Sequence, residues 1–177
     1  MAFRQRDLFG GAIIFRISSE CIDVSDLRQV PDHQEVFVYP DSQISIIVEI
    51  LERVTQDDDQ EATKFHFDSL AHDNSATSSS IKSVTEIANN RGDETPSPIV
   101  LKGIQLVRKF NSTVLDTIYI LLAVFRVKSK NVDLVLSMNI PLETPDDDID
   151  DVKYEQAQRN FETAVESLRI IDFDLFV

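Results

Sequence analysis

With one cysteine, Cys21, the 177-residue sequence cannot form an internal disulfide, and a cysteine-built zinc site has too few ligands. Such sparing use of cysteine fits a reducing compartment. Glycine is equally scarce. Four residues, including the Gly10–Gly11 pair and Gly92, make neither a P-loop nor a G-x-G-x-x-G turn, so the chain is not expected to hold a nucleotide itself. A G-x-S-x-G nucleophile elbow is missing. Long apolar runs are missing too. The longest, Ile118 to Phe125, falls well short of the ~20 residues a membrane helix needs. Arg4 and Arg6 precede only a short apolar stretch, so a secretory leader is not expected. Positive charge is in deficit, with 17 Lys and Arg against 31 Asp and Glu, a net −14. Such a surface repels phosphate backbones and anionic lipid, which argues against nucleic acid and membranes as partners. A basic protein surface is the better expectation, because opposite fields speed encounter.

What is present is a set of β-branched runs and two helical patterns. AIIFRI (12–17), following the glycine pair, reads as a strand, and so does EVFVYP (35–40), closed by Pro40. Residues 44–54 fit either period. Their β-branched density favours a strand, while Ile47, Ile50, Leu51 and Val54 also make a helical stripe. Residues 57–72 read as a helix begun by Asp57 to Asp59, whose carboxylates can cap N–H groups and meet the positive end of the dipole. Residues 73–80 are expected to be a polar loop, 82–88 a strand and 89–98 a second loop. The stretch 99–110 alternates in part. TIYILLAVFRV (117–127) is apolar on both faces until Arg126, which places it at the centre of a sheet covered on both sides. VDLVLSMNIPL (132–142) sends Val132, Leu134, Leu136, Met138 and Ile140 to one face and Asp133, Ser137 and Asn139 to the other. The four residues between these two runs make them an antiparallel hairpin. Tyr154, Ala157, Phe161, Ala164, Val165 and Leu168 mark the apolar stripe of a last helix. The fold class expected is α+β, an α/β/α sandwich. One mainly antiparallel sheet of six to seven strands carries helices on both faces, in one domain over 1–177.

Metal and catalytic patterns are weak. Counted from Asp146, the acidic run 146–151 puts Asp151 where a calcium loop needs Gly and Ala157 where it needs Glu. It reads instead as an acidic helix start. His66 and His72 are six apart, not the three or four that share a helix face, so His33, His66 and His72 are expected to pack at the surface or at edges. Cys21 reads as a small hydrophobe. Neither a metal nor a cofactor is expected. Two acidic stretches beside apolar strands are left, 22–35 and the pair Glu49 and Glu52. In a helix that pair would share a face; in a regular strand the two would point apart unless a bulge near Leu51 realigned them.

These stretches resemble the Ran guanine nucleotide release factors, the Mog-one proteins of nuclear transport. The resemblance rests on LFGGAI (8–13), IDVSDLRQVPDHQEVF (22–37) and SIIVEILE (45–52), with looser matches at KFHFDSLA (64–71), 99–110, 132–142 and DFDLFV (172–177). Of these, D-x-S-x-L-R-x-V-P-D-x-Q-E-V is the most specific. His33 and Ile50 depart from the family's usual residues, and 73–98 matches nothing. The resemblance implies a fold similar to the photosystem PsbP proteins: one antiparallel sheet with helices on both faces. It implies a non-enzymatic protein that binds the GTPase Ran, releases its guanine nucleotide, GTP in particular, and acts in nuclear protein import. A further Ran-binding protein could join in a ternary complex. A monomer, mainly nuclear with a cytoplasmic share, is the matching expectation. Carried over by residue, the Ran-binding patch is Asp23, Asp26, Asp32, Glu35, Glu49 and Glu52, with Arg28, Pro31 and Gln34 shaping its edge. The competing readings are a PsbP-like scaffold or small-ligand module without Ran activity, and a metal-assisted hydrolase built on the carboxylates.

Overall fold

The computed structural model describes residues 1–108, 113–142 and 151–177, with the side chain of residue 151 outside that set. In chain order the elements are β1 (Phe3–Leu8), β2 (Ile13–Ser18), β3 (Ile22–Asp23), β4 (Gln34–Val38), β5 (Ser45–Glu52), α1 (Asp59–Asp73), β6 (Ala76–Glu86), β7 (Ile99–Arg108), β8 (Leu115–Val127), β9 (Val132–Pro141), α2 (Asp151–Ser167) and β10 (Arg169–Ile170). Seven strands make one sheet in the order β3-β4-β5-β9-β8-β7-β6, and β1-β2-β10 make a second, smaller one. Every pairing is antiparallel. The acidic run at 146–151 lies outside the described side chains.

The α+β class and the helices on both faces of the large sheet follow the expectation. α1 lies over β6, β7 and β8, while α2 packs on the other face against β8, β9 and β2. β8 explains why both faces need cover. Leu121, Ala123 and Phe125 enter the α2-side core. Ile120, Leu122 and Val124 enter the α1-side core with Phe67 and Leu101. Burying a side chain of this size contributes about 1.5–3 kcal/mol, which gives a strand apolar on both faces strong reason to sit inside. The middle position belongs to its hairpin partner β9, with β8 next to it. The small sheet was not foreseen. Its Leu8, Ile13, Phe15 and Ile17 close the α2-side core beside that helix.

Three further details differ from the sequence reading. Residues 76–86 form one long strand, so the loop expected over 73–80 is strand from Ala76 onward. β6 is an edge strand whose side chains are mostly exposed, and ladder hydrogen bonds rather than burial define it. Residues 3–8 are a strand where none was expected. His66 is buried rather than superficial, as described below. The ambiguity at 44–54 resolves as a strand, regularly paired with β4 and β9 and without a bulge at Leu51. The last residues pack: Phe176 is buried in the α2-side core.

Gly103 on β7 fixes how closely α1 can approach. A Cβ there would lie 2.7 Å from Phe67 Cζ and 2.8 Å from the Ser80 carbonyl oxygen, so only glycine lets the Phe67 ring lie flush on the sheet.

Candidate functional site

The candidate residues gather at the β3–β4–β5 end of the large sheet, beyond the strands β6, β7 and β8 on which α1 mainly packs. Their local geometry divides them. Asp23 accepts from Ser25 N–H at 2.9 Å and Ser25 Oγ at 2.6 Å, capping the short 3₁₀ turn Val24–Asp26. That turn projects Asp26, Leu27 and Arg28 into solvent, and Leu27 is 70% exposed. Pro31 accepts the Gln34 N–H at 2.9 Å and His33 accepts the Ile50 N–H at 2.9 Å, so the turn carrying exposed Asp32 is pinned to both strands it precedes. Glu35 faces inward, towards the small sheet, and accepts the Phe9 N–H at 2.7 Å.

That last contact joins two of the motifs. Phe9, Gly10 and Gly11 all have positive φ (49°, 70° and 91°). A non-glycine residue held there costs roughly 1–2 kcal/mol. The charge-assisted bond from Glu35 offsets part of that cost and orients the turn between β1 and β2.

On β5, Gln34 and Glu49 are cross-strand partners, and Gln34 Nε2 donates to Glu49 Oε1. Glu49 is half-buried on the α1 face. Glu52 lies on the opposite face and is exposed. Neither the Asp32 nor the Glu52 side chain makes a hydrogen bond or ion pair among the described residues. Pairing between β4 and β5 ends at Gln34↔Glu49, with the Ile50 N–H held by His33, so residues 51–52 run on as an edge open on that side. A partner approaching this edge meets both carboxylates although they belong to different faces.

Behind the edge stands a buried network that sequence reasoning missed. Asp133, with no exposed surface, accepts from His66 Nε2 (2.7 Å), Arg126 Nε (3.1 Å) and the Val54 N–H (3.1 Å). Arg126 also donates to the carbonyls of Val54 (2.9 Å) and Gln56 (2.6 Å) and meets Asp59 at 3.3 Å. Burial alone would raise the Asp133 pKa; the hydrogen bonds from His66, Val54 and Arg126 outweigh it and hold the carboxyl below its usual range. The network fixes the path of the chain immediately after Glu52 and ties α1 to β8 and β9. The hairpin offered a signal for it, since Arg126 and Asp133 are direct cross-strand partners.

Cys21 is buried, and burial pushes its thiol pKa up, which makes it a poor nucleophile. Among the described residues no three or more His, Cys, Asp or Glu converge as a metal site. No described helix is long and apolar enough to cross a membrane.

Residues 6–141 match the family described as Ran-interacting Mog1 protein. The chain belongs to the Mog1 family. A zebrafish (Danio rerio) relative named Ran guanine nucleotide release factor is 30% identical, with 97% of this chain and 98% of that protein covered. The Schizosaccharomyces pombe nuclear import protein mog1 is 33% identical over 76% of this chain and 75% of its own. The crystal structure of the Saccharomyces cerevisiae Ran-binding protein Mog1p superimposes with a TM-score of 0.79 at 25% identity, covering 100% of both chains. The Mog1 match takes in the left-handed turn, the 3₁₀ turn, β5 and the Arg126–Asp133 pair, so every candidate residue lies inside it.

Proposed function

We propose that this Mog1-family protein binds Ran through the β3–β4–β5 edge and promotes release of its guanine nucleotide, GTP in particular, in support of nuclear protein import. The supporting observation is the coincidence of family membership with an acidic, rigidly built edge on a chain of net charge −14. Glu49 and Glu52 carry affinity, with Asp26 and Asp32 extending the negative field. Asp23 and Glu35 act through the turns they cap, and Arg28, Pro31 and Gln34 set the contour around them.

The mechanism is one of linkage and involves no covalent step. A GTPase holds its nucleotide with backbone amides, a lysine and Mg²⁺ around the phosphates. Carboxylates docked beside that site compete for its positive groups and favour an open form. A protein that prefers the empty state lowers nucleotide affinity by the same factor, and a coupling of about 3 kcal/mol loosens it roughly a hundredfold. On this reading the protein acts as a monomer, as one domain over 1–177. It resides mainly in the nucleus with a cytoplasmic share, and a further Ran-binding protein can join the complex. Release of labelled GTP and GDP from purified Ran tests the reading.

A further inference from the structure

Between the last turn of α1 and strands β5 and β9 lies a narrow groove of about 50 Å³. That volume is enough for a water or the tip of one side chain, and far too small for a nucleotide. Leu51, Leu70 and Val135 supply apolar walls, while Glu49, Asp73 and Ser137 bring oxygen atoms to it. Ser137 is the telling residue. It is only 4% exposed, it lines the groove, and its side chain makes no hydrogen bond among the described residues. Its hydroxyl is reached through the groove rather than sealed in, so a donor entering there can meet it. One Glu49 oxygen is held by Gln34, so that carboxylate is oriented before any partner arrives. The groove also lies at the C-terminal end of a 15-residue helix, where the dipole favours a positive charge.

We propose that this groove receives a single lysine side chain projecting from the basic surface of the GTPase. The inference rests on the Ran-binding reading above and names the contact on the α1 face. A lysine fits on three counts. Its methylenes lie along apolar walls while its head meets acids. Its compact ammonium carries three donors, matching the Glu49 carboxylate, the Asp73 carboxylate and the Ser137 hydroxyl. A guanidinium is a planar fork, less suited to so small a volume.

Ser69 lines the groove from an exposed position on α1, so it can be changed without touching the core. The experiment measures Ran binding by calorimetry for the wild type, Ser69→Trp, Ser69→Lys and Glu49→Gln. Each variant is first checked for an unchanged melting temperature. Filling the groove with an indole, or with an ammonium supplied by the protein itself, is expected to weaken binding at least tenfold. Combining Ser69→Lys with Glu49→Gln is expected to cost less than the sum of the single effects, since both remove the same contact. A wild type that binds Ran beside Ser69→Trp and Ser69→Lys variants within twofold of it overturns the groove assignment and leaves the Ran-binding reading standing. A wild type that forms no complex overturns both.

Discussion

The Glu35 carboxylate accepts the Phe9 N–H at 2.7 Å, across 26 residues of chain, and so holds a left-handed turn against β4, the middle strand of the candidate site. Replacing Glu35 with Ala leaves that N–H without its partner and is expected to destabilise the fold by about 1–3 kcal/mol. Glu35→Gln keeps an acceptor oxygen and is expected to lose less than half as much. Urea denaturation of the two variants checks the order. Equal losses would mean that the bond does not hold the turn.

Asp133 gives the fold a specific sensitivity to acid. Its carboxyl is held below the usual range in the folded state, so its stabilising contribution is fully present above the unfolded value of about 3.9 and is lost as pH falls further. Replacing it with Leu strands the buried Arg126 guanidinium and is expected to cost about 3–5 kcal/mol at pH 7. Asp133→Asn, which keeps an acceptor, is expected to cost less. Many other carboxylates titrate in the same window, so the informative quantity is the difference between wild type and Asp133→Asn. That gap should narrow from pH 5 to pH 2. A gap that stays constant would show that the charge on Asp133 contributes nothing.

Glu49 and Glu52 should separate by phenotype. The Glu52 side chain is exposed and makes no hydrogen bond or ion pair among the described residues, so Glu52→Ala is expected to change stability by less than about 0.5 kcal/mol. The same change should weaken Ran binding about tenfold, roughly 1.4 kcal/mol. Glu49→Ala also removes the acceptor for Gln34 and should lower stability and binding together. Thermal melts beside binding titrations decide the matter. Loss of stability in Glu52→Ala, or full binding by both variants, would contradict the assignment.

The parts of the fold legible in the sequence were those whose burial leaves a period. β8 showed as a run apolar on both faces, and α2 as a stripe from Tyr154 to Leu168, because each satisfies two cores or one long one. β1 left no such trace, and β6 was legible only in its second half, where 82–88 read as a strand while 73–80 read as a loop. β6 is an edge strand of Ser and Thr held by backbone pairing, and β1 exposes Arg4, Gln5 and Asp7. In the site, the motif 22–37 located the acids but not their duties. Asp23 and Glu35 are engaged by N–H groups that only the folded chain brings near. His66 meets Asp133 across 67 residues, a distance at which spacing carries no information.

The central claim is tested most directly by loading purified Ran with labelled GTP or GDP and following loss of label when this protein is added. The account predicts faster release, greater for GTP than for GDP, slowed by added salt as the acidic field is screened, and abolished by Glu49→Lys with Glu52→Lys in a variant that still melts cooperatively. Unchanged release with the wild-type protein would contradict it.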